Sequence, residues 1–381
     1  MFSISSLGFF MFKNQSWFNR NPKKTLFFSI LIFTIIILLA FEIFLRFYIK
    51  YNPGYYMYET GQNNSVRYFP YGKIIINSDG FADDEFLHDK IKPRVGYLGD
   101  SVLYGLGAGH GYRITELFEK DFSQYEHMNL AYIGFYGVNS RTLPWVLGLV
   151  SYYQVDKIIY FMCMNDIMPS VKKTANLNTG TKPVRKIQAV KDNFFYLRKI
   201  GDFFDFLRGK SYLFTHIRFM IKNYYFRRGY NERGFTAYEF FPEKYRFIFS
   251  QTAGRIAVLE RILEKRNVDF LVVILPYEMQ ISSEAEAIYK DDKIKWEEDF
   301  IDRGPQKTII NDFEKFNIKY IDAIYAFIDE KNVQASRDEN KIGEFFVYNK
   351  GDRLDWVHPN REGHKKIADF LAKRLKETGF F

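Results

Sequence analysis

Val95-Gly-Tyr-Leu-Gly-Asp-Ser-Val-Leu-Tyr-Gly105 is the stretch on which the reading of this 381-residue chain turns. The apolar run from Arg94 to Leu98 has the content of a strand, and Gly99-Asp100-Ser101 follows where that strand must end. A nucleophilic serine needs its hydroxyl exposed at a strand end. It also needs a following helix that directs backbone N–H groups at a developing oxyanion. The stretch has that order. Gly-Asp-Ser is equally a common turn or N-cap sequence, so the tripeptide alone leaves both readings open.

Outward from this stretch, β-rich runs alternate with helical patterns. Ile114–Asp121 reads as helix, His127–Leu130 as strand, Ser140–Tyr152 as helix and Lys157–Cys163 as strand. Further on come helix Thr252–Lys265, strand Asp269–Leu275, helix Gln306–Phe316, short strand Lys319–Ile321 and a final helix Arg361–Glu377. Strands separated by helical crossovers imply a parallel sheet with helices on both faces. The expected fold is three-layer α/β/α, with active residues on loops at the carboxyl ends of the strands.

A second chemical signal lies near the other end, in Asp355-Trp-Val-His-Pro-Asn-Arg-Glu-Gly-His364. Asp and His three apart in a loop before a helix allow the carboxylate to orient the imidazole, so that the other ring nitrogen faces a serine. The plainer alternative is a helix-entry turn capped by Asn360. His358 is the better candidate than His364, which falls inside the predicted helix. His110 is the main rival base, but it sits among the glycines of Gly105 to Gly111 with no Asp at comparable spacing.

Taken together, Gly99-Asp100-Ser101 with Gly105, Asn129-Leu-Ala-Tyr-Ile-Gly134, Met164-Asn165-Asp166 and Asp355-x-x-His358 resemble, in order, the four sequence blocks of the SGNH (GDSL-type) hydrolase superfamily. The resemblance covers about residues 90 to 170 and 250 to 375. Ile76-Asn-Ser-Asp-Gly-Phe81 also looks like a segment that membrane-anchored bacterial members carry before the catalytic domain. The resemblance implies a flavodoxin-like hydrolase fold in which Ser101 is the nucleophile, His358 the base and Asp355 its orienting partner. It further implies an oxyanion hole made by the backbone N–H groups of Ser101 and Gly134 and the side-chain amide of Asn165. Loss of one such donor typically costs about 3 kcal/mol of transition-state stabilisation. Asp100 and Asp166 are expected to be structural. One departure is visible: the glycine usual two residues before the Asn is Cys163 here, a position where a buried thiol is expected to be inert.

Other chemistries fit poorly. No serine lies in a G-x-S-x-G elbow. Gly105-x-Gly-x-Gly109 has His110 where a dinucleotide loop would continue, and no Walker lysine follows. His88, His110 and His127 lack metal-ligand spacing, and a single cysteine excludes a disulfide framework and a cysteine zinc site. No cofactor is expected.

The N-terminal region sets the location. Leu26 to Phe41 is a run of 16 residues without a charge, near the length that crosses a bilayer core. Lys13, Arg20, Lys23 and Lys24 precede it and no small-residue cleavage site follows, which favours an uncleaved anchor. The expected organisation is a cytoplasmic segment 1–24, a transmembrane signal anchor 25–47, a connector 48–90 and a hydrolase-like domain 91–381. That domain is interrupted by an insert at 171–250, which holds 17 Lys+Arg, 6 Asp+Glu and 20 Phe or Tyr. The insert is expected to be largely helical. Its aromatics are expected to pack on the core, with contact to an anionic bilayer as the alternative reading.

The formal net charge of +9 first suggests nucleic acid or a membrane. Residues 1–50 carry 6 basic and 1 acidic, and outside them and the insert the chain holds 31 basic against 38 acidic. The basic surplus therefore belongs to the anchor and insert, which favours a membrane over nucleic acid. The expected function is a serine esterase on the outer face of a bacterial inner membrane, with the catalytic domain periplasmic and an acylated glycan or lipid as substrate. Two alternatives share the fold. One is an O-acyltransferase passing the acyl group to a sugar, which would need a membrane-embedded donor partner; the other is an idle binding protein.

Overall fold

The structure, a computed structural model, describes residues 21–51, 65–69, 72–87, 89–133, 135, 137–140, 142–169, 211, 213–214, 216–217, 220–221, 224, 228, 237–347 and 355–381. From Pro22 the chain is helical to Tyr51 (α1). Its stretch Pro22–Phe47 has a mean hydropathy of 2.8, and its apolar residues stand exposed except Leu45 near its end. At about 1.5 Å per residue those 26 residues reach roughly 39 Å, enough for a bilayer core of about 30 Å. Glu42 and Arg46 pair at 2.9 Å on one face near its end, as their spacing predicts.

An antiparallel hairpin follows, β1 (Ser65–Phe69) and β2 (Gly72–Ile76), pairing Ser65 with Ile76 and Phe69 with Gly72. It then meets the main sheet's domain: Ile74 and Ile76 are buried, and the His110 N–H donates to the Lys73 carbonyl at 2.7 Å.

The domain's elements are β3 (Arg94–Leu98), α2 (Ser101–Tyr104), α3 (Ile114–Asp121), β4 (Glu126–Asn129), α4 (Thr142–Tyr152) and β5 (Lys157–Met162). After residue 237 come α5 (Arg246–Glu264), β6 (Asp269–Ile274), α6 (Glu278–Ile281), α7 (Ser283–Asp291) and α8 (Gly304–Phe316). The chain closes with β7 (Tyr320–Asp322), α9 (Val333–Glu339) and α10 (Arg361–Glu377). The sheet runs β4-β3-β5-β6-β7, with every neighbouring pair parallel. Counted along the chain this is strand order 2-1-3-4-5, the flavodoxin-like doubly wound arrangement. Helices flank it in two groups: α3 packs on α10, and α5 on α8. Arg266, just past α5, donates to Ser151 of α4 at 2.9 Å. The expected α/β/α fold with a parallel sheet is therefore present.

Local sequence accounts for these elements. β3 is buried along its whole length, and the apolar runs of β5 and β6 are buried but for their first residues, as central parallel strands must be. α8 begins at Gly304-Pro305 and stops at Asn317 in the left-handed region. α10 starts at Asn360, whose side chain accepts from the Gly363 N–H at 3.0 Å. The order reverses between β3 and β5, and the crevice outside the carboxyl ends of those two strands is where such folds place a site.

Candidate active site

Ser101 is the first residue of α2, directly beyond β3. The Asp100 carboxylate caps that helix by accepting from the Val102 N–H at 3.0 Å. Gly105 closes it with φ +93, and a side chain there would strike Arg113. Ser101 is thereby held at the switch point and remains partly exposed.

His358 arrives from the other end of the chain. Its Nε2 lies 2.8 Å from Ser101 Oγ, and its Nδ1 lies 2.8 and 2.9 Å from the two Asp355 oxygens. A ring nitrogen facing a carboxylate carries the proton. Nε2 is then the acceptor of the serine O–H. His358 and Asp355 are both buried, so the imidazole is shielded while the hydroxyl is reachable. Asn360 caps the following helix, and in the same loop the imidazole meets the serine.

The loop is pinned on several sides. The Val347 N–H donates to the His358 carbonyl at 2.9 Å and the Asn360 N–H to that of Phe345 at 2.9 Å. Gly107 has no room for a side chain, since a Cβ would sit 2.0 Å from the Pro359 carbonyl oxygen. The glycines that superficially suggested a dinucleotide loop thus serve a turn and the seat of the histidine loop.

Asn165 lies in a 3-10 turn (Met164–Asp166) just past β5, and its side-chain amide hydrogen-bonds the Asp100 carboxylate. Burial raises the carboxyl pKa of Asp100 above the usual range, while the Val102 N–H, the nearby His358 and the Asn165 amide pull it back. Asp166 is pushed well up by burial and by the charge of Asp100, and accepts from the Tyr160 hydroxyl at 2.7 Å. Burial also pushes the Cys163 thiol well up, which keeps it from becoming a thiolate nucleophile. Gly134 lies outside the described residues, as does most of the insert. The flanks of Gly134 are tied down: the Tyr132 N–H donates to the Gly99 carbonyl at 3.1 Å and the Ala131 N–H to Asn129 Oδ1 at 3.1 Å.

Neither rival histidine faces Ser101 within hydrogen-bond distance. His110 Nδ1 lies 2.8 Å from Glu116. His364 is buried in α10, where desolvation drives its pKa to about 3. Among the described residues no group of three or more His, Cys, Asp or Glu could hold a metal ion.

Two supporting residues escaped the sequence reading. Glu278 of α6 braces the loop that carries Asp355 and His358: its N–H donates to the Trp356 carbonyl at 3.0 Å, and its carboxylate accepts from Gly343 N–H at 2.6 Å and Tyr289 O–H at 2.8 Å. Asp83 accepts from the Asn129 N–H at 2.7 Å, joining the segment after β2 to the end of β4. Neither carries a sequence mark, since an isolated carboxylate in a loop or one-turn helix looks like a solvated one.

No family model and no curated protein matches the chain. Solved structures do. A GDSL-like lipase from Bacteroides thetaiotaomicron is similar over 75% of this chain and 88% of its own, at 11% identity and a TM-score of 0.34. An inhibitor-bound aryl esterase of M. smegmatis is similar over 75% of this chain and 99% of its own, at 11% identity and a TM-score of 0.37.

Proposed function

We propose that this chain is a membrane-anchored serine ester hydrolase of the SGNH type, removing ester-linked acyl groups from a glycan or lipid at the outer face of a bacterial inner membrane. The observation that carries the reading is the unbroken line from Asp355 through His358 to Ser101, with contacts of 2.8 Å on each side of the imidazole.

The reaction follows from that line. Ser101 Oγ attacks the ester carbonyl carbon while His358 Nε2 takes the hydroxyl proton, and the buried Asp355 carboxylate stabilises the imidazolium. The carbonyl oxygen becomes an oxyanion facing the Ser101 N–H, which as a first-turn amide has no intrahelical acceptor. Gly134 N–H and Asn165 Nδ2 are the further donors. An amide NH2 has two hydrogens, so the bond to Asp100 leaves one for the oxyanion. Collapse of the intermediate expels the alcohol, which takes the proton from Nε2 and leaves an acyl-Ser101 ester. Water repeats the sequence with His358 as base, releasing the carboxylic acid and the free serine.

The apolar α1 supports a membrane location, and Lys23 and Lys24 ahead of its core support an inward N-terminus. The test is turnover of p-nitrophenyl acetate by the purified full chain. Ser101→Ala is expected to reduce kcat by about 10⁴-fold or more. Equal turnover by the variant and the parent would refute the reading.

A further inference from the structure

A piece of the insert next to the anchor has a different chemistry. The described residues from Leu213 to Tyr224 are helical. The amino end of this helix is fastened to α1. Ser211 Oγ accepts from the Phe214 N–H at 3.1 Å, and one Glu42 oxygen receives the Ser211 hydroxyl at 2.9 Å and the Leu213 N–H at 2.8 Å. The other Glu42 oxygen holds Arg46 Nε at 2.9 Å. Leu45, three residues beyond Glu42 on the same side of α1, is buried, whereas Ile43, Phe44 and Phe47 stand open. Helix and anchor therefore meet at the carboxyl end of the apolar span, the level of the bilayer interface.

Ile217, Met220, Ile221 and Tyr224 follow the spacing i, i+3, i+4, i+7, which sets them on one helical face. They are 46%, 59%, 53% and 54% exposed. The Arg228 guanidinium lies 3.5 Å from the Tyr224 ring centre. In sequence, residues 211–228 hold four basic residues, Arg218, Lys222, Arg227 and Arg228, and no acidic one. An open apolar stripe with a basic complement is the composition of a helix that lies in a lipid headgroup region and favours anionic lipid. Its attachment to a spanning helix at interface level supplies the lipid.

We propose that the helical residues Ile217, Met220, Ile221 and Tyr224 lie along the plane of the outer leaflet with the Ile217–Met220–Ile221 stripe inserted, fixed to the anchor through Glu42. The inference rests on the reading of α1 as a membrane span. On it, the insert holds the domain against the bilayer surface, where acyl groups carried on lipid-linked substrates are found.

The test uses the full chain in nanodiscs of phosphatidylethanolamine and phosphatidylglycerol, with an environment-sensitive fluorophore on a single introduced cysteine. The buried Cys163 stays in place, checked by labelling the unaltered chain. Labels at Met220→Cys and Ile217→Cys are compared with Phe33→Cys in mid-span and with Val258→Cys, an exposed position on α5. Lipids brominated in the acyl chain are expected to quench the Met220 and Ile217 labels at least about twofold more than the Val258 label. Quenching at Phe33 with none beyond the Val258 level at Met220 and Ile217 overturns the proposal and leaves the anchor standing. Absence of quenching at Phe33 as well overturns both. Shielding of the two labels from aqueous iodide without lipid quenching, seen only in discs loaded with two chains, assigns the stripe to a second copy and also overturns the proposal.

Discussion

Asp355 is bound to its place by the atoms it serves. Besides the His358 ring, its Oδ1 accepts from the backbone N–H groups of Val357 and His358, each at 3.3 Å. These bonds hold the carboxylate against the ring, and its contact with Nδ1 fixes which imidazole nitrogen holds the proton. Asp355→Asn would retain the shape and present an amide that can offer the ring either a donor or an acceptor. The expected result is a loss of about 10⁴-fold in kcat with little change in KM, read from steady-state ester hydrolysis. That Ser101, His358 and Asp355 should come together was legible because the proposed nucleophile, base and orienting carboxylate each need a particular type at a particular place relative to a strand or helix end. Glu278 also holds this loop, yet nothing in the sequence distinguishes it. Its partners, Gly343, Tyr289 and Trp356, come from three separate segments and are brought together by folding alone.

At the scale of elements, the decisive feature is the contact between the loop after α2 and the loop before α10. Gly107 touches the Pro359 carbonyl so closely that any Cβ must push the backbone away, and His358 is the next residue. Gly107→Ala is expected to displace the imidazole from Ser101 and lower kcat by about 100-fold, since a misplacement of about 1 Å has that effect. Steady-state kinetics check it, and melting separates local displacement from unfolding. Unchanged kcat in a folded variant would contradict the seating role. The long periodic elements were readable: β3, α3 and α10 lie at the predicted residues, and the other predicted strands and helices are present with ends shifted. α5 begins at Arg246 rather than Thr252, because its first turns share the basic aromatic composition of the insert. Phe240 and Phe249 near that boundary are fully buried, and Phe240 packs on Trp356 of the His358 loop at 5.8 Å. The hairpin β1–β2 and the short helices α6, α7 and α9 were not read. They are additional to the strands and crossover helices whose alternation the sequence reading relies on.

At the scale of the whole molecule, buried acids set the response to pH. Burial raises the pKa of Glu239 to about 8, of Asp83 to about 7 and of Glu278 to about 7. An unfolded chain releases these protons near pH 4 to 4.5, so above that range the folded state holds protons the unfolded one has lost. Stability then falls as pH rises, until each folded pKa is passed. Buried His364 and His127 have lowered pKa values and act in the opposite sense, but only below about pH 6.5. Among the described groups named here, the buried acids are the ones that act from pH 6.5 to 8. Melting of the full chain is expected at a lower temperature at pH 8 than at 6.5. Glu239→Gln is expected to remove part of that fall, a gain of roughly 3 to 5 kcal/mol at pH 8 as an upper bound. A variant whose melting temperature falls as steeply as the parent's would show that Glu239 does not retain its proton. The net charge was similarly legible only in part: its location at the anchor and insert could be counted, whereas the docking of a basic helix on Glu42 required the fold. The proposed activity requires Ser101 to be an activated nucleophile in the folded protein. The most direct measurement is exposure of the full chain to a fluorophosphonate, followed by mass spectrometry of its peptides. Stoichiometric phosphonylation of Ser101 that disappears on unfolding and in His358→Ala is the predicted result. Folded protein that leaves Ser101 unmodified would contradict it.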